Sequence, residues 1–349
     1  MRGMMRYRGR RAASIENDAL RVTVLEEGGH LAEIADKATG VNPLWTPDWP
    51  SIEPSAYDRA VHGLYGDGVD APLLAGLMGH NVCLDIFGGP SDDEARAGLP
   101  VHGEVSTARF ELEATATSLT MRAPLRQAQL HFERRIELVD RGVRVRERVE
   151  NISGTDRPIG WTQHVTLGPP FLEHDRTEFR APATRSKVFD GTFGPADYLA
   201  SGAEFDWPHA PRAGGGTHDL RRFPGGNPSS AYTAQLVDPK REHGYFVAFS
   251  PASRLAFGYV WRRADFPWIG IWEENRARPA APWNRRAVTR GMEFGVSPFP
   301  ETRRQMIDRG PLFATPPCGW VPARGQVTVE YWAILRPADA IPDELHWPR

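Results

Sequence analysis

Three side chains stand out as possible proton-transfer groups. His102 lies in Gly98-Leu-Pro-Val-His102-Gly-Glu, His164 in Gly160-Trp-Thr-Gln-His164-Val-Thr-Leu-Gly-Pro-Pro-Phe, and Glu293 in Arg290-Gly-Met-Glu293-Phe-Gly-Val-Ser-Pro-Phe-Pro. Imidazole titrates near neutral pH and can give or take a proton there. A carboxyl group set among apolar strand residues has either a partner or a raised pKa. Gly and Pro beside each of the three keep local backbone free of bulk, so a small molecule can approach. No Gly-x-Gly-x-x-Gly, Walker, Gly-x-Ser-x-Gly or His-Glu-x-x-His sequence competes with this reading.

The elements that must carry these groups read as strands. Apolar residues alternate with polar ones in Leu20 to Leu25 and His30 to Ala35, which form a hairpin around Glu26-Glu-Gly-Gly. Thr107 to Glu150 reads as a meander, split late by Asp140-Arg-Gly, and Val143-Arg-Val-Arg-Glu-Arg-Val-Glu has the charged outer face of a half-wet antiparallel sheet. Further strands run through 232–237, 245–250, 255–261, 268–273, 291–296 and 327–335. His164 is expected at the end of a short strand. Residues 191–230, rich in Gly and Pro, are expected to form a rim loop, and residues 274–290, with five Arg, an irregular segment.

Composition narrows the function further. The 349 residues carry 42 basic and 44 acidic side chains, a net charge of −2, so no basic footprint for nucleic acid is expected. No apolar run approaches the roughly 18 residues of a transmembrane helix, and the basic start lacks the apolar stretch of a secretory signal; no membrane partner and a cytoplasmic location are the expectations. Residues 1–14 read as a disordered basic leader and 15–349 as one β-sandwich domain. Cys83 and Cys318 read as buried thiols, with a pairing between them left open.

Taken in order, the segments resemble the galactose mutarotase-like proteins. Gly79-His-Asn-Val-Cys-Leu-Asp-Ile-Phe-Gly-Gly-Pro followed by Gly98-Leu-Pro-Val-His-Gly is similar to that family's first His segment, Gln163-His-Val-Thr-Leu-Gly to its second, and Gly291-Met-Glu-Phe to its late Glu strand. Gly28-Gly-His-Leu-Ala-Glu-Ile-Ala-Asp resembles its first hairpin. The resemblance implies a mainly β protein, a large antiparallel β super-sandwich, that interconverts sugar anomers without cofactor or metal. Glu293 would take the O1 proton, His164 would protonate O5, and His102 would anchor the sugar; His164 and Glu293 should then face each other across one cleft. His80, Asn81, Asp85, Glu104, Trp161, Trp272 and Arg290 are the expected substrate contacts, and the chain is expected as a monomer or homodimer.

One departure concerns substrate charge. Relatives acting on hexose 6-phosphates tend to have an Arg where Ser106 stands, and Glu104 adds a negative charge nearby, so a non-phosphorylated sugar is expected. The alternatives are a lyase, hydratase or epimerase acting on a keto-sugar or uronate, favoured if a metal binds through His80, His102 or Glu104, and a carbohydrate-binding protein without catalysis.

Overall fold

A computed structural model describes residues 4–348. Two large antiparallel sheets pack face to face, as alternating sequences with one apolar face require. Among the described residues the larger sheet has twelve strands. Its spatial order is Met4–Tyr7, Arg10–Glu16, Leu20–Leu25, Leu31–Asp36, His80–Asp85, Arg157–Leu167, Val288–Gly295, Trp268–Asn275, Ser229–Val237, Ala183–Val188 and Glu204–Asp206, with Gly319–Val321 paired to the start of Arg157–Leu167. The second sheet has eight strands and contains the meander Glu111–Ala114, Ser118–Leu125, Leu130–Val139 and Gly142–Asn151. A main core of aliphatic and aromatic residues fills the space between the sheets.

At the centre of that core lies a polar cluster. Arg134 pairs with Glu147 at 2.7 Å, and Glu147 also accepts from Trp161 Nε1 at 3.0 Å, Gln163 Nε2 at 2.6 Å and the Tyr331 hydroxyl at 2.7 Å. His80 joins through Gln163 and Tyr259, each at 3.0 Å. Each charge in this dry space is matched and hydrogen-bonded, the condition under which a buried ion pair is tolerated.

The outer face of the larger sheet is covered in part by loops and by the short helix Ala71–Gly76, which pack a second apolar cluster onto it. Strands such as Arg157–Leu167 are therefore buried on both faces. No helix among the described residues is long and apolar enough to cross a membrane.

Three expectations are corrected here. Of the expected leader 1–14, residues 1–3 lie outside the described residues, and residues 4–14 are not disordered: they include the strand Met4–Tyr7 and most of Arg10–Glu16. Arg10 is fully buried, bonded to Glu53 at 2.8 Å, the Gly76 carbonyl at 2.7 Å and the Glu27 carbonyl at 2.9 Å. His164 sits inside the eleven-residue strand Arg157–Leu167, not at the end of a short one. Cys83 and Cys318 are both free thiols, Cys83 buried and Cys318 half-buried rather than buried.

Candidate active site

Strand register places the reactive groups. Side chains alternate between the two faces of a strand, so in Arg157–Leu167 Trp161 and Gln163 point into the sandwich and His164 points away from it. Pairing of His164 with Asn81, and a register that sets Gln163 against Phe294, align Asn81, His164 and Glu293 in a row across three neighbouring strands. Gly270 continues the row beyond Glu293.

His164 Nε2 and Glu293 Oε1 are 3.1 Å apart, and His164 Nδ1 lies 3.0 Å from Thr166 Oγ1. The Tyr232 hydroxyl donates to Glu293 Oε2 at 3.4 Å. Burial pushes the Glu293 carboxyl up to about 8, against the lowering effect of that bond, and pushes His164 down to about 4. Both shifts favour a protonated Glu293 beside a neutral His164 at neutral pH.

His102 enters from a loop. Its backbone has φ of 67°, and Gly103 follows at 77°, where a Cβ would run into the Leu84 carbonyl. This tight left-handed turn lays the His102 ring against His164, with centroids 5.1 Å apart. Asn81 Nδ2 donates to His102 Nδ1 at 3.1 Å, leaving Nε2 protonated as a donor. His102 is held well below the ordinary imidazole value by burial first, then by the neighbouring histidines.

All three groups open into one cavity of about 490 Å³. Trp272 and Trp283 form part of its wall, with the Trp272 ring 5.7 Å from His164 and its Nε1 buried without a partner. Arg278 lies over both indoles, 5.5 and 4.8 Å from the ring centroids, and pairs with buried Glu274 at 3.3 Å. Asp67 and Asp70 line the cavity as well.

The expected site residues divide accordingly. His102, His164 and Glu293 converge, Trp272 lines the same cavity, and Asn81 acts through His102. His164 and Glu293 do not face each other across a cleft; they are neighbours on adjacent strands. His80 and Trp161 point inward to the polar cluster, and so does not belong to the cavity either of them. Arg290 also points inward, donating to the Leu220 and Arg222 carbonyls at 2.5 and 3.1 Å. Asp85 is closed off by Arg157 and Arg303 at 2.7 and 2.6 Å. Glu104 faces away, accepting from the Ala128 N–H at 2.8 Å, so its charge is not at the site. His80, His102 and Glu104 do not form a common ligand set, and no cluster of three metal-type ligands occurs among the described residues.

Tyr232 and the helix Ala71–Gly76 were not anticipated as site components. The missing signal for Tyr232 is its neighbour in space: a Cβ on Gly270 would overlap the Tyr232 hydroxyl, so the glycine opens the path to Glu293. Gly270→Ala is accordingly expected to destabilise the fold by about 1–3 kcal/mol, the usual cost of overpacking. Urea unfolding checks this, and an unchanged midpoint would mean that Tyr232 yields freely.

Solved structures described as aldose 1-epimerases or galactose mutarotase-like proteins share this fold. A Klebsiella pneumoniae protein provisionally described as an aldose 1-epimerase is 13% identical, with a TM-score of 0.66 over 95% of this chain and 80% of its own. A galactose mutarotase-like protein from Clostridium acetobutylicum is 12% identical, with a TM-score of 0.61 over 96% and 98%. A TPR-domain containing protein from Parabacteroides distasonis is 13% identical, with a TM-score of 0.59 over 97% of this chain and 49% of that one. No protein-family model and no curated protein sequence matches the chain. At such identities the likeness is one of fold, and function has to be argued from the site.

Proposed function

We propose that the protein is an aldose 1-epimerase-like enzyme that interconverts the anomers of a non-phosphorylated sugar. The observation that carries this reading is the His164–Glu293 pair, with Nε2 and Oε1 3.1 Å apart, opening with His102 into one cavity. O1 and O5 of a pyranose hang on the same carbon, so a donor and an acceptor side by side suit them better than two groups on opposite walls.

The resting proton on Glu293 reverses the roles that family resemblance suggests. Glu293 donates its proton to O5 as the C1–O5 bond breaks, and His164 Nε2 takes the proton from O1 as the C1 carbonyl forms. Rotation about C1–C2 presents the other carbonyl face. Closure then returns the O5 proton to Glu293, and the imidazolium gives its proton to O1. Protons balance over the cycle, and general acid/base assistance of this kind is worth about 10²–10⁴-fold. His102, donating through Nε2, holds a sugar oxygen in place.

Anomer exchange measured by NMR on a panel of freshly dissolved aldoses tests the proposal. Exchange above the buffer rate supports it, whereas binding without exchange would leave a carbohydrate-binding protein. The panel also tests charge. Arg278 is neutralised by Glu274 and Asp67 by Arg59, which leaves the Asp70 carboxylate facing an incoming anion. Glucose is therefore expected to exceed glucose 6-phosphate in kcat/KM by about tenfold or more at low salt, since charge repulsion of about 1.4 kcal/mol suffices for that ratio. Preference for the phosphate would sink the charge argument.

A further inference from the structure

The cavity walls are poorly matched to a sugar bearing hydroxyls on every side. Besides the reacting groups, the charged side chains of the cavity are Asp70, Asp67 paired with Arg59, and Arg278 paired with Glu274; no Asn, Gln, Ser, Thr or Lys side chain lines the cavity among the described residues. The helix Ala71–Gly76 and its exit instead contribute Leu73, Leu74 and Leu77, joined by Phe87 and Val101. The three leucines are 4%, 6% and 7% exposed, so they belong to the packed wall yet still reach the cavity surface. Tyr65, which also lines the cavity, has its hydroxyl committed to the Pro50 carbonyl at 2.8 Å.

Groups with unused hydrogen-bonding capacity stand beside the reacting pair. They include His102 Nε2 and Trp272 Nε1, the latter buried, unpartnered and beside His164. A ligand that places its polar atoms there and an apolar group against the leucines satisfies both regions. A hydroxyl against the leucines would give up its water and gain no partner, which is unfavourable.

From this division of the cavity we infer that the ligand is a 6-deoxyaldose, its C6 methyl group seated on Leu73, Leu74 and Leu77 while O1 and O5 meet His164 and Glu293. The inference rests on the anomer-exchange reading for the placement of O1 and O5, and extends it to the part of the sugar that does not react. A hydroxymethyl group in place of the methyl adds a polar atom without a partner, and apolar pockets discriminate at this level by about 10–100-fold.

Matched pairs provide the test: L-rhamnose with L-mannose, L-fucose with L-galactose, D-fucose with D-galactose, and D-quinovose with D-glucose. Trp272 and Trp283 line the cavity, so quenching of intrinsic fluorescence reads binding, and NMR exchange reads turnover independently. The expected result is a Kd at least tenfold lower for the 6-deoxy member of one or more pairs. Leu73→Asn, nearly equal in size, should shrink that ratio to within about threefold, while Leu73→Met should keep it. If the Asn variant does not fold, the ratio in the unaltered protein decides. Equal affinities in all pairs, preference for the parent hexose, or no binding of any of the eight sugars would overturn the inference. Selective binding of a 6-deoxy sugar without anomer exchange would support the ligand assignment while rejecting the proposed reaction.

Discussion

Glu293→Gln is expected to abolish anomer exchange and, at alkaline pH, to make the protein more stable than it was. Gln keeps the shape of a protonated Glu and can donate an amide N–H to His164 Nε2, but it has no proton to transfer. Loss of one general acid/base group predicts a fall of about 10²–10⁴-fold in kcat. The stability gain follows from the sign of the shift. A carboxyl whose folded pKa is raised to about 8 contributes stability that is fully present below its ordinary value of 4.5 and is lost as pH rises to about 8. Each pH unit of that window costs at most about 1.4 kcal/mol, and the amide variant does not incur the loss. Thermal unfolding of both proteins at pH 5 and pH 9 provides the check: the Gln variant should gain relative to the parent only at the higher pH. A variant that retains exchange would remove Glu293 from the mechanism. A variant with no relative gain at pH 9 would mean that the carboxyl ionises in its site at little cost.

Acid should destabilise the fold sharply before ordinary carboxylates begin to titrate. His30, His80, His102 and His164 are all buried, and burial is the first cause of each lowered pKa; His30 is held at about 3 and His164 at about 4. A group with a depressed folded pKa contributes stability that is present above its unfolded value, here 6.5, and is lost as pH falls toward the folded one. Glu293 works in the opposite direction between its two values and offsets one of the four histidines. These four histidines less Glu293 therefore contribute a slope between pH 6.5 and pH 4.5 of up to about 4 kcal/mol per pH unit, to which His218, also lowered by burial first, adds. Asp36 and Asp85, whose carboxyls are held below the ordinary value of 3.8 by arginine partners that outweigh burial, add their loss only at lower pH. Urea midpoints at pH 7, 6 and 5 measure the slope, and a flat series would refute it. His80 is the most informative single site, because its ring lies between Tyr259 and Gln163, outside the cavity. His80→Gln should flatten the slope by about one histidine's share.

How much of this could be read in advance differs strand by strand. Gly142–Asn151 has one face in the core and one largely charged, so its alternation was plain in the residue order. The strand type of Arg157–Leu167 and Val288–Gly295 was legible too, but both are buried on nearly their whole length. When both faces are covered, alternation no longer says which face meets the core and which meets a ligand. That ambiguity is why Trp161 and Arg290 were expected beside His164 and Glu293, although odd spacing puts each on the opposite face from its supposed partner. Arg10 shows the same limit for charge: its partners Glu53, Gly76 and Glu27 lie up to 66 residues away, so a basic stretch looked unstructured. Residue types and period-two patterns alone determined a mainly β protein with His102, His164 and Glu293 as its candidate acid–base groups. Strand pairing in three dimensions decided that His164 and Glu293 stand side by side, that His80 and Trp161 belong to the core, and that leucines of a short helix and its exit line the cavity. Those outcomes depend on register and on which loops cover the outer face, and such contacts between distant segments leave no local periodic trace in the chain.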